Sequence, residues 1–174
     1  MTKQTEPENS LHIEQVAHAA REALLRDGRH PPTLIAVGSG KSAFIAFDTF
    51  GKSAPDNQQQ LRQTGFRLAH DQQFGMLKQA FFISEAWMSQ LPMDQQPTVR
   101  PSQSPNRQEI LIIAGLAADN PHASLMVYEL IRDHKGGLRD VTALEPADTL
   151  FQNVNNPLLE AVFVGFATGQ MRKN

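Results

Sequence analysis

Apolar residues recur at Ile13, Val16, Ala17, Ala20 and Leu24, the spacing that lines one side of an α-helix. Ser10 stands before this stripe as a candidate N-cap. Asp27-Gly28 ends it, because glycine takes the left-handed conformation at a helix C-terminus without steric cost. His30-Pro31-Pro32 then forces an extended exit. Thr33 to Val37 and Ser42 to Phe47 have β-type composition and flank Gly38-Ser39-Gly40-Lys41, which predicts a hairpin. Gln58 to Gln73 carries only a thin stripe (Leu61, Gly65, Leu68) and is expected as a largely exposed helix.

Further strands are predicted at Ala80 to Met88, Arg107 to Leu116, Ala123 to His134 and Leu138 to Leu144. Asn156-Pro157 opens a last helix, with Asn as N-cap and Pro in the first helical position. Its main stripe is Leu159, Val162, Phe163 and Phe166, and Leu158, Ala161 and Val164 make it apolar nearly all round. Such a helix is expected to be deeply buried or to lie in a subunit contact, with Val162, Phe163 and Phe166 inside.

The resulting order, α-β-β-α-β-β-β-β-α, predicts an α+β fold: a largely antiparallel sheet of about five or six strands with three main helices. The 174 residues fit one domain. The expected organisation is a disordered N-terminal tail at 1–9 and a single α+β domain at 10–174. A flexible loop is expected at 89–106, where Pro92, Pro97, Pro101 and Pro105 deny the chain ladder hydrogen bonds.

Charge and composition narrow the function classes. The formal net charge is −2, without the basic excess that nucleic acid or an anionic membrane calls for, so neither is expected as a partner. Cysteine is absent, which excludes disulfides, thiolate metal sites, iron–sulfur clusters and cysteine nucleophiles. No apolar run reaches the length of a membrane span, and the polar start, Met1 to Ser10, lacks a signal-peptide core. A cytoplasmic location is therefore expected.

Motif chemistry is sparse. Gly38-Ser39-Gly40-Lys41-Ser42 invites a phosphate-loop reading, but Ile35 stands where that pattern needs glycine, and a strand-like run, Ala43 to Phe47, follows instead of a helix. Nucleotide binding at Gly38 to Ser42 is accordingly the weakest functional expectation. The histidines (His12, His18, His30, His70, His122, His134) show no helical metal spacing and no H-E-x-x-H, so no metal and no cofactor is expected. A G-x-S-x-G elbow is also missing.

Strand period supplies the one candidate site. On the three long strands the even-numbered residues Phe82, Ala86, Met88, Ile110, Ile112, Ala114, Met126, Tyr128 and Leu130 read as a core face. The odd-numbered face is mixed. Simple antiparallel pairing puts Trp87 near Arg107, Glu85 diagonal to Arg107, Arg107 near Asp133, and Glu109 on one face with Glu129. Glu85, Trp87, Arg107 and Glu109 form the candidate binding cluster; the alternative is a half-exposed face with cross-strand ion pairs and Arg stacked on Trp.

The run Phe82-Ile83-Ser84-Glu85-Ala86-Trp87, followed by Arg107-Gln108-Glu109 and the apolar Ile110 to Ala114, resembles a pattern in some uncharacterised bacterial proteins. That resemblance implies a bacterial-type cytoplasmic protein and no particular activity. Taken together, the expectation is a non-enzymatic binding or assembly module, with a homo-oligomer through the C-terminal helix as one form of it. The alternative is a small hydrolase built from Glu85, Arg107, Glu109 and a histidine from a turn.

Overall fold

The first apolar stripe folds as α1 (Ile13–Asp27) and buries Val16, Ala17, Ala20 and Leu24. The helix starts later than Ser10 suggests. Gln79 accepts from the Leu11 amide at 3.0 Å and donates to the Leu11 carbonyl at 3.2 Å, which ties that residue to the sheet. His12 is then the N-cap, its amide donating to Gln15 Oε1 at 3.0 Å. The structure is a computed structural model, and it describes residues 10–50, 53–89, 98–144 and 150–173. The tail expected at 1–9 lies outside the described residues, as do residues 90–97 of the expected loop. The rest of that loop is anchored: Pro101–Gln103 form a 3-10 turn, Ser104 is buried, and the Arg107 amide donates to the Ser104 carbonyl at 3.3 Å.

β1 (Thr33–Gly38) and β2 (Ser42–Ala46) form the predicted hairpin. α2 (Ala54–His70) follows, with Ser53 Oγ accepting from the Asp56 amide at 3.3 Å. β3 (Leu77–Ser89), β4 (Arg107–Ala117), β5 (Ala123–Arg132), β6 (Leu138–Ala143) and β7 (Leu150–Val154) complete the sheet. α3 (Pro157–Met171) begins as its sequence demands, with Asn156 Oδ1 accepting from the Leu159 amide at 3.0 Å. All pairings are antiparallel, and the strand order is β2-β1-β3-β4-β5-β6. β7 pairs with the first half of β5, and β6 with the second half. The α+β class and the order of elements are as predicted; β7 is one short strand beyond that order. Among the described residues no helix is long and apolar enough to cross a membrane.

Both faces of the sheet are packed. α2 and α3 cover one, where Leu34, Ala36, Ala80, Phe82, Ala114 and Leu116 meet Leu61, Leu68, Leu159, Val162 and Phe166. α1 covers the other, over Ile35, Val37, Phe81, Ile83, Leu111, Ile113, Met126, Tyr128 and Leu130. The thin stripe of α2 is explained by its partner. A Cβ at Gly65 would lie 2.0 Å from the Val162 carbonyl oxygen, and one at Gly165 only 1.9 Å from that of Arg62. The two helices touch backbone to backbone, so a wide apolar stripe is not needed. This contact also accounts for much of the apolar character of α3. Val162 and Phe166 are buried as expected, but Phe163 is only half-buried and Val164 is exposed. The reason is geometric: α3 turns Val162, Gly165, Phe166 and Gly169 inward, and Phe163 sits at the margin of that face.

The expected division into an even-numbered core and an odd-numbered mixed face does not hold across the sheet. Ile83 faces Ile113 and Trp87 faces Glu109, odd to odd, but Leu111 faces Tyr128, odd to even. Parity therefore changes between β4 and β5. Met126, Tyr128 and Leu130 lie under α1 with Leu111 and Ile113, whereas Val127 and Glu129 point to the opposite face.

Candidate functional site

β3 and β4 continue past the end of α1, and there the α1 face turns polar. Trp87 lies directly across from Glu109, Arg107 across from Ser89, and Glu85 across from Leu111. All are odd-numbered on strands that pair odd to odd, so Glu85, Trp87, Arg107 and Glu109 share one face. The Arg107 guanidinium stacks 5.1 Å from the centre of the exposed Trp87 ring and donates to the Ser102 carbonyl at 3.0 Å. Glu85 is not diagonal to Arg107; the two stand four registers apart along the ladder. Nor do the other expected neighbours arrive. Asp133 caps its own turn, accepting from the amides of Lys135 at 2.8 Å and Gly137 at 2.9 Å. Glu129 faces the other side, with Gln108 Nε2 3.4 Å away.

The arginine that does meet the carboxylates is Arg132, at the end of β5. Its Nε and Nη2 grip Glu109 at 2.6 and 2.8 Å, and Nη2 also reaches Glu85 at 3.3 Å. Nη1 donates to the carbonyl of Gly28 at 3.1 Å and of Gly136 at 3.4 Å. Glu85 accepts in addition from the His30 amide. The three charged side chains are 24% (Arg132), 21% (Glu85) and 19% (Glu109) exposed, partly shielded from water. The result is a clasp that fastens the C-terminus of α1 to the ends of three strands. Arg132 was hidden from parity reasoning by the change of phase at β5. The signal for it is an arginine continuing the row Met126, Tyr128, Leu130 toward the candidate carboxylates.

Electrostatics follow from two carboxylates sharing one guanidinium. Burial pushes the Glu85 carboxyl above its ordinary range, with the neighbouring Glu109 adding to the rise, while the His30 amide and Arg132 pull the other way. The Glu109 carboxylate holds the Arg132 guanidinium still more firmly protonated than usual. A carboxyl whose pKa is raised by folding contributes stability that is complete below the ordinary value of 4.5 and lost as pH rises through the folded value. Glu85→Gln keeps an acceptor for the His30 amide and offers Glu109 a donor. Its stability relative to the native chain should therefore rise as pH is raised from about 4 toward 7. Thermal unfolding of both proteins across that range measures it; a difference that shrinks with rising pH would show that the charged form of Glu85 is the favoured one.

Chemistry beyond the clasp is limited. His30 reaches Glu85 with its main chain, and its ring Nδ1 lies 2.8 Å from the Pro31 carbonyl oxygen instead. Among the described residues no group of His, Asp and Glu could hold a metal ion. Three surface cavities stand out. One of about 260 Å³ is polar and lies by the start of α1, with His12, Gln79, Asn120, His122 and Ser124 in its wall. Another, about 340 Å³, runs between α2 and α3 past Arg62 and Val164. The third, about 310 Å³, is apolar and opens between α1 and the β1–β2 hairpin, where Val16, Ala20, Ile35, Phe44 and Ile83 line it. None of the three is lined by Glu85, Trp87, Arg107 or Glu109.

The glycine turn also has its donors engaged. The amides of Gly38, Ser39 and Gly40 donate to the carbonyls of Lys41 at 2.9 Å, Met76 at 2.8 Å and Phe74 at 3.0 Å. A Cβ at Gly38 or Gly40 would come within 2.2 Å of the Phe74 or Gln73 carbonyl oxygen, respectively. These glycines serve a close approach of the α2–β3 turn, and the amides of Gly38, Ser39 and Gly40 are not free to cradle a phosphate.

No family model, no curated protein and no solved structure matches this chain.

Proposed function

We infer that this is a non-enzymatic binding or assembly protein whose contact surface is the apolar strip between α1 and β2. The observation that carries this is Phe44, 70% exposed beside a groove walled by Val16, Ala20, Ile35 and Ile83. The candidate carboxylates support it from the other side. Arg132 holds both Glu85 and Glu109 in a clasp, and neither carboxylate lines any of the three cavities described, which fits a folding role. A cytoplasmic, bacterial-type protein with a docking face fits the cysteine-free composition. A small hydrolase using Glu85, Arg107 and Glu109 would need an open base near bound substrate.

The test pairs a binding probe with an activity screen. An environment-sensitive apolar dye such as anilinonaphthalene sulfonate should bind the native chain, and Phe44→Lys should weaken it about tenfold or more. Neither the native chain nor Glu109→Gln should turn over p-nitrophenyl acetate or phosphate. Hydrolysis by the native chain that Glu109→Gln abolishes would replace the binding function with the hydrolase one.

A further inference from the structure

β2 ends the sheet, and its outer edge faces away from every other strand. Register decides which of its groups point there. The Phe47 amide donates to the Pro32 carbonyl at 2.8 Å and the Gly38 amide to the Lys41 carbonyl at 2.9 Å, while Leu34 faces Ile45 and Ala36 faces Ala43 between them. Hydrogen-bonded and non-hydrogen-bonded pairs alternate in an antiparallel ladder. Ala43 and Ile45 therefore turn their amides and carbonyls toward β1, and Ser42, Phe44 and Ala46 turn theirs outward. No described residue takes up these outward backbone groups. Natural edge strands are usually guarded by charge or proline; Ser42-Ala43-Phe44-Ile45-Ala46 has neither.

We propose that a second copy of this chain docks on this edge, β2 against β2, antiparallel about a two-fold axis at Phe44. The proposal rests on the assembly function inferred above and names its partner. An axis at Phe44 sets Ser42 opposite the other copy's Ala46 and Phe44 opposite Phe44. Every one of these is an outward-facing residue, so each pairing is of the hydrogen-bonded kind. The two sheets become continuous, and the two Phe44 rings meet over adjoining apolar grooves. Charge agrees with this symmetry. Lys41, which also holds Asp71 at 2.8 Å, immediately precedes β2, and the exposed Asp48 follows it. The axis brings the cationic end of one strand beside the anionic end of the other, at both ends of the interface. An extended segment of an unrelated protein could use the same backbone groups, but only a second copy brings this matched pair of ends.

Sedimentation velocity of the full chain over about 1 to 200 µM is the experiment. A concentration-dependent species of twice the 19.3 kDa monomer is expected. Two variants localise it. Ala46→Pro removes an outward amide that β1 does not use, so the fold should persist. Phe44→Lys sets like charges against each other at the axis. Each should weaken the dimer about tenfold or more with an unchanged far-ultraviolet spectrum. Amide exchange at Ser42, Phe44 and Ala46 should slow as concentration rises. A chain that stays monomeric throughout overturns the proposal. So does a dimer that survives both variants, or one that only Val164→Lys on α3 dissolves, which would move the contact to the C-terminal helix. Monomers whose dye binding still depends on Phe44 would remove the second copy and leave the binding surface; monomers without that dependence would remove both.

Discussion

Phe166→Ala should destabilise the protein by about 3–5 kcal/mol, the cost of emptying a buried aromatic site that cannot collapse. Phe166 is 4% exposed, and its ring centre lies 5.9 Å from that of the fully buried Phe74. Collapse is blocked because the α2–α3 distance is already set by backbone contact at Gly65 and Gly165. Neither helix can move inward to fill the void. Phe163→Ala, one helical step away at the margin of the same face, should cost only about 1–2 kcal/mol, since a half-buried ring has less apolar area to lose. Urea unfolding followed by far-ultraviolet circular dichroism gives both values. Equal losses at the two positions would mean that α3 is rotated from the orientation described.

Arg132→Ala should cost about 2–3 kcal/mol, between the small worth of an exposed ion pair and the larger loss on orphaning a fully buried charge. The substitution leaves Glu85 and Glu109 side by side without their shared cation and frees the Gly28 carbonyl at the end of α1. Part of the loss should disappear toward low pH, where Glu85, its carboxyl pushed up by burial, is protonated and no longer needs the cation. Arg107→Ala, by contrast, should cost about 1 kcal/mol or less at any pH, because its ring stacking and its bond to Ser102 are at the surface. Thermal unfolding of both variants at low and neutral pH separates the cases. A larger loss at Arg107 than at Arg132 would mean that the sequence-derived cluster, and not the clasp, bears the load.

The contrast between these arginines shows what the sequence discloses and what it withholds. Helix α1, the β1–β2 hairpin and the Asn156-Pro157 start of α3 follow from local rules, because spacing, turn residues and caps act within a few positions of one another. The meeting of Trp87, Arg107, Glu85 and Glu109 on one face was legible too, since it needs only odd-to-odd pairing of β3 and β4. The partner from β5 was not. It depends on the register across the turn at Ala118 to His122, and a one-residue difference there exchanges Arg132 for Ile131 on the candidate face. β7 was missed for a related reason. Leu150–Val154 offers no alternation strong enough to stand out, Asn153 takes a positive φ of 59°, and only the free flank of β5 makes the segment a strand.

The two margins of the sheet are unlike in a way that governs how large an assembly it could build. On the far side the margin is split between β7 and β6, carries the exposed Arg139 and Asp140, and is kinked by an irregularity between Ile131 and Arg132. β7 is uncharged, as β2 is, but Asn153 takes a positive φ and the register of β7 against β5 shifts, whereas β2 pairs with β1 without a break. In the language of polymer chemistry, a unit with two reactive ends grows into a chain, and a unit with one can only be capped. Under the proposed pairing, the described sheet acts as a unit with a valence of one. Joining through β2 would then use up the regular margin of each participant, and strand addition is expected to close at a pair.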